Sequence, residues 1–137
     1  MKKNIALVAG GYSEEHIISI GCAATIEKHL DAAKYALYRT IITKESWYHE
    51  HNGQQVMVDK NDFSLIIEGQ KIVFDAVFIA IHGTPGEDGK LQGYFDMIGL
   101  PYTTCNAIVS AVTFNKSFCN KVVNDFDVVK IAKSVHL

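Results

Sequence analysis

The run His82-Gly83-Thr84-Pro85-Gly86-Glu87-Asp88-Gly89-Lys90-Leu91-Gln92-Gly93 constrains the fold more than any other stretch of the chain. Before it, the apolar Ala76-Val77-Phe78-Ile79-Ala80-Ile81 reads as a buried strand. After it, Leu91, Tyr94, Phe95 and Ile98 fall at i, i+3, i+4 and i+7, one face of a helix. Gly99 stops that helix and Pro101 keeps it stopped. A polar, glycine-rich loop therefore joins the carboxyl end of a strand to a helix start, which is where open α/β sheets bind ligands. Gly83, Gly86 and Gly89 allow close approach of the backbone to a bound group. The following helix offers N–H groups and a positive dipole end to an anion. His82 is the group in the loop that titrates near neutral pH, while Glu87 and Asp88 also suit helix caps.

With 137 residues, the chain is long enough for one domain with a real core and too short for two ordinary ones. A net charge of −2 and the lack of a basic block argue against a nucleic-acid partner. Lys2 and Lys3 precede an apolar run, but Ile5 to Ala9 is too short for a signal sequence or a membrane span. Cys22, Cys105 and Cys119 are widely spaced and odd in number, so neither a zinc site nor a disulfide framework is indicated. A reducing cytoplasm is the expected compartment, and no metal ligands are assigned.

In chain order, Ile5–Ala9 reads as a buried strand entering the Gly10-Gly11 turn. Ser13 and Glu14 signal a helix start, and Ile18, Cys22, Ile26 and Leu30 repeat at four-residue steps. Strand, glycine turn and helix open a nucleotide-binding type of α/β unit, although the full GxGxxG is absent. Glu15 lies in the first turn of this helix. It either complements the helix dipole or aims at a ligand's ammonium group. His16 beside it reads as a solvated helix residue.

Tyr35–Thr43 is rich in β-branched and aromatic residues and reads as a second strand. Asn52-Gly53, between Trp47–His51 and Gln54–Val58, is a hairpin signal. His49 and His51 share a face of that hairpin but lack a third ligand, so they read as surface residues rather than a metal pair. Phe63–Ile67 and Lys71–Phe74 read as small edge strands about Glu68-Gly69-Gln70. Leu100–Thr103 is a short extended segment, and Thr104 or Asn106 caps the next helix. That helix carries Ile108 and Val112 and, after a break near Thr113, Phe118 and Val122; Lys116 and Lys121 read by pattern as solvated lysines. Val128–Ala132 reads as the start of another strand with no partner after it, as in a truncated element. The alternation predicts a parallel-sheet core with an antiparallel hairpin appended.

Three ordered segments resemble the D-alanine–D-alanine ligase family. Gly10-Gly11-Tyr12-Ser13-Glu14-Glu15 with Ser19 is similar to a GGxSxE…S opening, and His82–Gly93 fits HGxxGEDGxxQG without a mismatch. Leu100-Pro101-Tyr102-Thr103, Ser110-Ala111 and Asn115-Lys116 are similar to PYTG…SA…DK, with Asn115 standing where the family usually has Asp. That departure is expected to disturb local hydrogen bonding more than chemistry.

The resemblance implies a Rossmann-like pre-ATP-grasp domain, a mostly parallel sheet flanked by helices with an appended β-hairpin. It divides the chain into a substrate domain over residues 1–122 and a linker with the first strand of an ATP-grasp domain over residues 123–137. It implies an ATP-dependent ligase of peptidoglycan precursor synthesis that joins two D-alanines through an acyl phosphate. Glu15 is then the catalytic and substrate-binding carboxylate at the first D-alanine's ammonium. His82 and Gly83 line that subsite, and Lys116 reaches ATP phosphate. Mg²⁺ ligands, the catalytic arginine and the adenine pocket are expected downstream of Leu137, in ~200 further residues of about two more domains. The fragment alone is therefore expected to be inactive, and the full-length enzyme to be a possible homodimer. The alternatives are a stand-alone α/β module that binds a small ligand or partner without catalysis, and another ATP-grasp ligase with the same first domain.

Overall fold

The structure is a computed structural model and describes residues 2–124, 126 and 128–131. Its main sheet has five strands: β1 (Lys3–Gly10), β2 (Tyr35–Ile42), β3 (Trp47–His51), β4 (Gln54–Met57) and β7 (Ala76–Ile79), in the order β4-β3-β2-β1-β7. β1 is central and parallel to both β2 and β7, whereas β3 and β4 are the antiparallel hairpin. Among the described residues there are four helices: α1 (His16–His29), α2 (Lys90–Ile98), α3 (Ala107–Phe114) and α4 (Lys116–Asn124). β5 (Leu65–Ile67) and β6 (Gln70–Ile72) pair with each other as a separate two-stranded sheet rather than along the main one. Among the described residues, no helix is long and apolar enough to cross a membrane.

Both faces of β1 are covered, which explains its unbroken apolar sequence. Leu7 and Ala9 pack towards Ala23 of α1, while Ala6 and Val8 join Phe63, Leu91 and Phe95 on the opposite face. The hairpin turn has Asn52 and Gly53 both at positive φ, 51° and 76°, a pairing whose twist matches that of the flanking strands. Beyond β7, Tyr102 bridges in parallel to Val77, so the Leu100–Thr103 segment prolongs the sheet edge.

Several sequence expectations need correction. On α1, Ile18 is exposed and the fully buried seam is Ser19 and Ala23, with Cys22, Ile26 and Leu30 half-buried beside it. Small residues fill this seam because the helix approaches β1 closely enough for the Ser19 hydroxyl to reach the Gly10 N–H. The paired strands begin at Leu65 and end at Ile72, so Phe63 and Phe74 lie outside them. The helix break falls at Asn115, and the side chain of Asn115 accepts the Phe118 N–H at 3.2 Å. Asn and Asp cap helices about equally well, and Asn115 makes this capping bond. Ile108 on α3 is exposed, because α3 meets the start of α2 through Ala107 and Ala111 instead, and Phe118 and Val122 on α4 are exposed as well. Val128–Ile131 form no strand, having no neighbouring strand edge to pair with among the described residues, and Ala132 lies outside them.

Phe63 anchors the α2 side of the sheet. Its ring is fully buried, 5.0 Å from Phe95 and 6.0 Å from both Trp47 and Tyr94. It also sits at φ 54°, a left-handed conformation that costs a β-carbon residue about 1–3 kcal/mol and persists only where the surroundings enforce it. Phe63→Ala is expected to lower stability by about 3–5 kcal/mol in urea unfolding. A loss below ~1 kcal/mol would show that the ring does not hold this turn.

Candidate functional site

The carboxyl ends of β1 and β7 lie side by side, and one buried hydroxyl joins them. Ser19 Oγ accepts the Gly10 N–H at 2.9 Å and donates to the Ala80 carbonyl at 2.7 Å. The two following loops are tied again by the Tyr12 N–H, which donates to the Thr84 carbonyl at 2.8 Å. Ser13 Oγ donates to the His82 carbonyl at 3.2 Å and accepts the Glu15 N–H. Ser13 is therefore a loop tie and not the helix cap; Glu15 itself occupies the N-cap position of α1, without a capping side-chain bond.

The second loop is held by its own polar groups. Glu87 Oε2 accepts the Gly83 N–H at 2.7 Å, and the Gly83 carbonyl accepts the Gly86 and Glu87 N–H groups. Asp88 accepts the Thr84 hydroxyl and the Lys90 ammonium, and takes the Lys90 N–H at 3.3 Å. Gly89, at φ 87°, is the N-cap of α2, so neither carboxylate occupies the position expected from sequence. Both instead staple the loop. Gly86 is required by proximity, since a Cβ there would lie 2.5 Å from Ile81 Cβ.

Gln92 was not singled out in the sequence, yet it locks this loop to the next one. It is fully buried, and its Nε2 donates to the Gly86 carbonyl at 2.6 Å and to Thr104 Oγ1 at 3.2 Å. Its Oε1 has no hydrogen-bond partner among the described residues. Glutamine is ordinarily exposed, so only its place in the glycine-rich run marks it.

A cavity of about 520 Å³ opens between these loops and α3, within the size range of small-molecule sites. Glu15, Glu87, Gln92, Cys105, Phe114 and Lys116 are among the residues that line it. Glu15 is exposed, and its Oε2 stands 3.4 Å from where a Cβ on Gly83 would be. Glu15 and Lys116, distant in sequence, thus share one cavity, with Gly83 against Glu15. The Gly83 N–H is already taken by Glu87. His82 is not in the lining. It is half-buried, with Nε2 3.4 Å from Cys22 Sγ on α1. His49 Nδ1–H donates to the Arg39 carbonyl, and His51 meets Glu68.

The family model described as D-ala D-ala ligase N-terminus matches residues 4–105, which carry both glycine-rich loops. The chain belongs to the D-alanine–D-alanine ligase family. It is 53% identical over 138 residues to the D-alanine–D-alanine ligase of Parabacteroides distasonis, covering 100% of this chain and 42% of that protein. Among solved structures it resembles D-alanyl-alanine synthetase A of Vibrio cholerae, with a TM-score of 0.82 and 34% identity, over 92% of this chain and 38% of that one. It also resembles the Bacillus anthracis D-alanine–D-alanine ligase complexed with ATP, with a TM-score of 0.64 and 27% identity, over 90% of this chain and 36% of that one. The chain thus spans about 42% of the length of the curated ligases it matches. The α/β architecture expected for a ligase amino-terminal domain is the one observed. Lys116 lies beyond the residues that the family model matches.

Burial by itself would raise the Asp88 carboxyl, but hydrogen bonds from Lys90 and Thr84 outweigh it and hold the group below its usual value of 3.8. A depressed native value means the stabilisation is complete above pH 3.8 and is lost as pH falls through the native value. Asp88→Asn is expected to remove that part of the acid-induced loss, measured as urea midpoints from pH 6 to about 2.5. An acid limb identical to wild type would contradict the Asp88 staple.

Proposed function

We propose that this chain is the domain of a D-alanine–D-alanine ligase that holds the first D-alanine, and that it works with the further segments its relatives carry. One observation supports this above the others: a carboxylate, Glu15, and an ammonium, Lys116, line the same cavity at the carboxyl ends of the strands. An amino acid about to be phosphorylated carries both kinds of charge, an ammonium to be held and a carboxylate that meets phosphate. Glu15 pairs with the ammonium, where an ionised partner strengthens the hydrogen bond. Lys116 meets phosphate as a compact point charge. The reading of ATP as the phosphate source draws on the ATP complex of the Bacillus anthracis relative.

In the reaction, a D-alanine carboxylate oxygen attacks the terminal phosphorus of ATP, giving an acyl phosphate and ADP. The amine of a second D-alanine then attacks the acyl carbon, forming the peptide bond and releasing phosphate. This dipeptide enters peptidoglycan precursor synthesis. The staples from Glu87, Asp88 and Gln92 hold the loops in position before a ligand arrives, which lowers the ordering cost of binding. Among the described residues, no group of three His, Cys, Asp or Glu side chains is placed to hold a metal ion. No step here is assigned to a metal ion.

Calorimetric titration of the 137-residue chain tests the assignment. Heat is expected with D-alanine, with at least a tenfold weaker response to L-alanine, and Glu15→Gln is expected to weaken D-alanine binding about tenfold or more, the scale of a charged hydrogen bond. The chain by itself is expected to release no ADP in the presence of D-alanine. Equal response to both enantiomers, indifference to Glu15→Gln, or D-alanine-dependent ADP release would each overturn part of this reading.

A further inference from the structure

We infer that Cys22 is a positioning residue that fixes the proton arrangement of His82. The two side chains come from different elements, Cys22 from the middle of α1 and His82 from the end of the β7 segment, and meet at 3.4 Å between Sγ and Nε2. Both are half-buried, so water competes less for the contact than it would at the surface. The main chain of His82 is already anchored from the α1 side, because its carbonyl accepts the Ser13 hydroxyl. Backbone and ring are therefore both held by the segment that also carries Glu15.

The 3.4 Å contact admits either direction, depending on the ring tautomer, and the arrangement inferred is the one in which the thiol donates. A neutral imidazole has one N–H and one lone pair, and a thiol has one weak donor. Among the described residues, the imidazole is the only hydrogen-bond partner of the Cys22 thiol. If Nε2–H donates to sulfur, the weak thiol hydrogen is left to solvent and Nδ1 offers a lone pair. If S–H donates to Nε2, the thiol is satisfied and Nδ1 carries the ring hydrogen. Which nitrogen bears the proton is set by the bond the other one makes. In the inferred arrangement the pair presents Nδ1–H as a donor, which suits a ligand carboxylate; the opposite tautomer would present a lone pair. The significance for substrate rests on the reading of His82 as part of the amino-acid site, but the proton arrangement does not.

The test is nitrogen-15 NMR of the His82 ring in the ligand-free 137-residue chain, at a pH where the ring is neutral. The wild type is expected to show mainly the Nδ1–H form. Cys22→Ala, a good helix former at a half-buried position, is expected to lower the ratio of Nδ1–H to Nε2–H by about threefold, the size of a weak hydrogen bond. Cys22→Ser retains a donor at the same place and is expected to restore the ratio, which a purely packing role would not. A wild-type ring mainly in the Nε2–H form overturns the inference without any variant. So does a ratio unchanged by Cys22→Ala. If the ratio shifts as expected while the chain ignores D-alanine, the positioning role stands and the ligand reading falls.

Discussion

A single buried hydroxyl holds the organisation of this domain together. Ser19 Oγ takes the Gly10 N–H and gives its hydrogen to the Ala80 carbonyl, so one side chain on α1 joins the ends of two parallel strands. Neither backbone group has a ladder partner at that point, and each would otherwise be a buried polar group costing about 1–3 kcal/mol. The bond also fixes how close α1 sits to β1, and so requires small residues along the seam, Ser19 and Ala23. The two glycine-rich loops start at these same strand ends. Their separation and relative height are set by this contact before any loop residue contributes.

The loops add a second level of rigidity. Acidic residues in a glycine-rich loop suggest groups waiting for a cation, but both of those in the His82–Gly89 loop are already engaged. Glu87 closes on the Gly83 N–H, and Asp88 is shared by Thr84 and Lys90. Glu15 remains exposed at the cavity. Of the two carboxylates that line the cavity, Glu87 is thus tied to its own loop and Glu15 has no such staple. Gln92 works in the same way through Gly86 and Thr104, and its unpartnered Oε1 is the residual cost of that lock.

Much of the fold was legible because its signals are local. The unbroken apolar β1, the Asn52-Gly53 turn and the Gly99 helix end each act through near neighbours, and the structure has all three. The features that escaped depend on contacts distant in sequence. Ile18 looks like a core residue beside Ser19, yet the small residue is buried because of what β1 and β7 offer it. Nothing near Phe63 announces a positive φ; the aromatic cluster enforces it. A carboxylate before a helix can cap it or reach back to a loop N–H, and only the loop's closure decides for Glu87. In the site, Glu15 and Lys116 could be named from motif resemblance, but their shared cavity is a product of packing α3 against the loops. The Cys22 contact to His82 had no sequence signal at all.

The central claim is that the strand-end cavity is where the domain meets its amino acid. Backbone amide shifts of the 137-residue chain, followed as D-alanine is added, test this most directly. The account predicts that the largest changes map to the Gly10–Glu15 and Ile81–Gly89 loops, and that L-alanine leaves those amides in place. Changes centred instead on the separate groove between α1 and the β2–β3 face, around Leu37 and Tyr48, would contradict it.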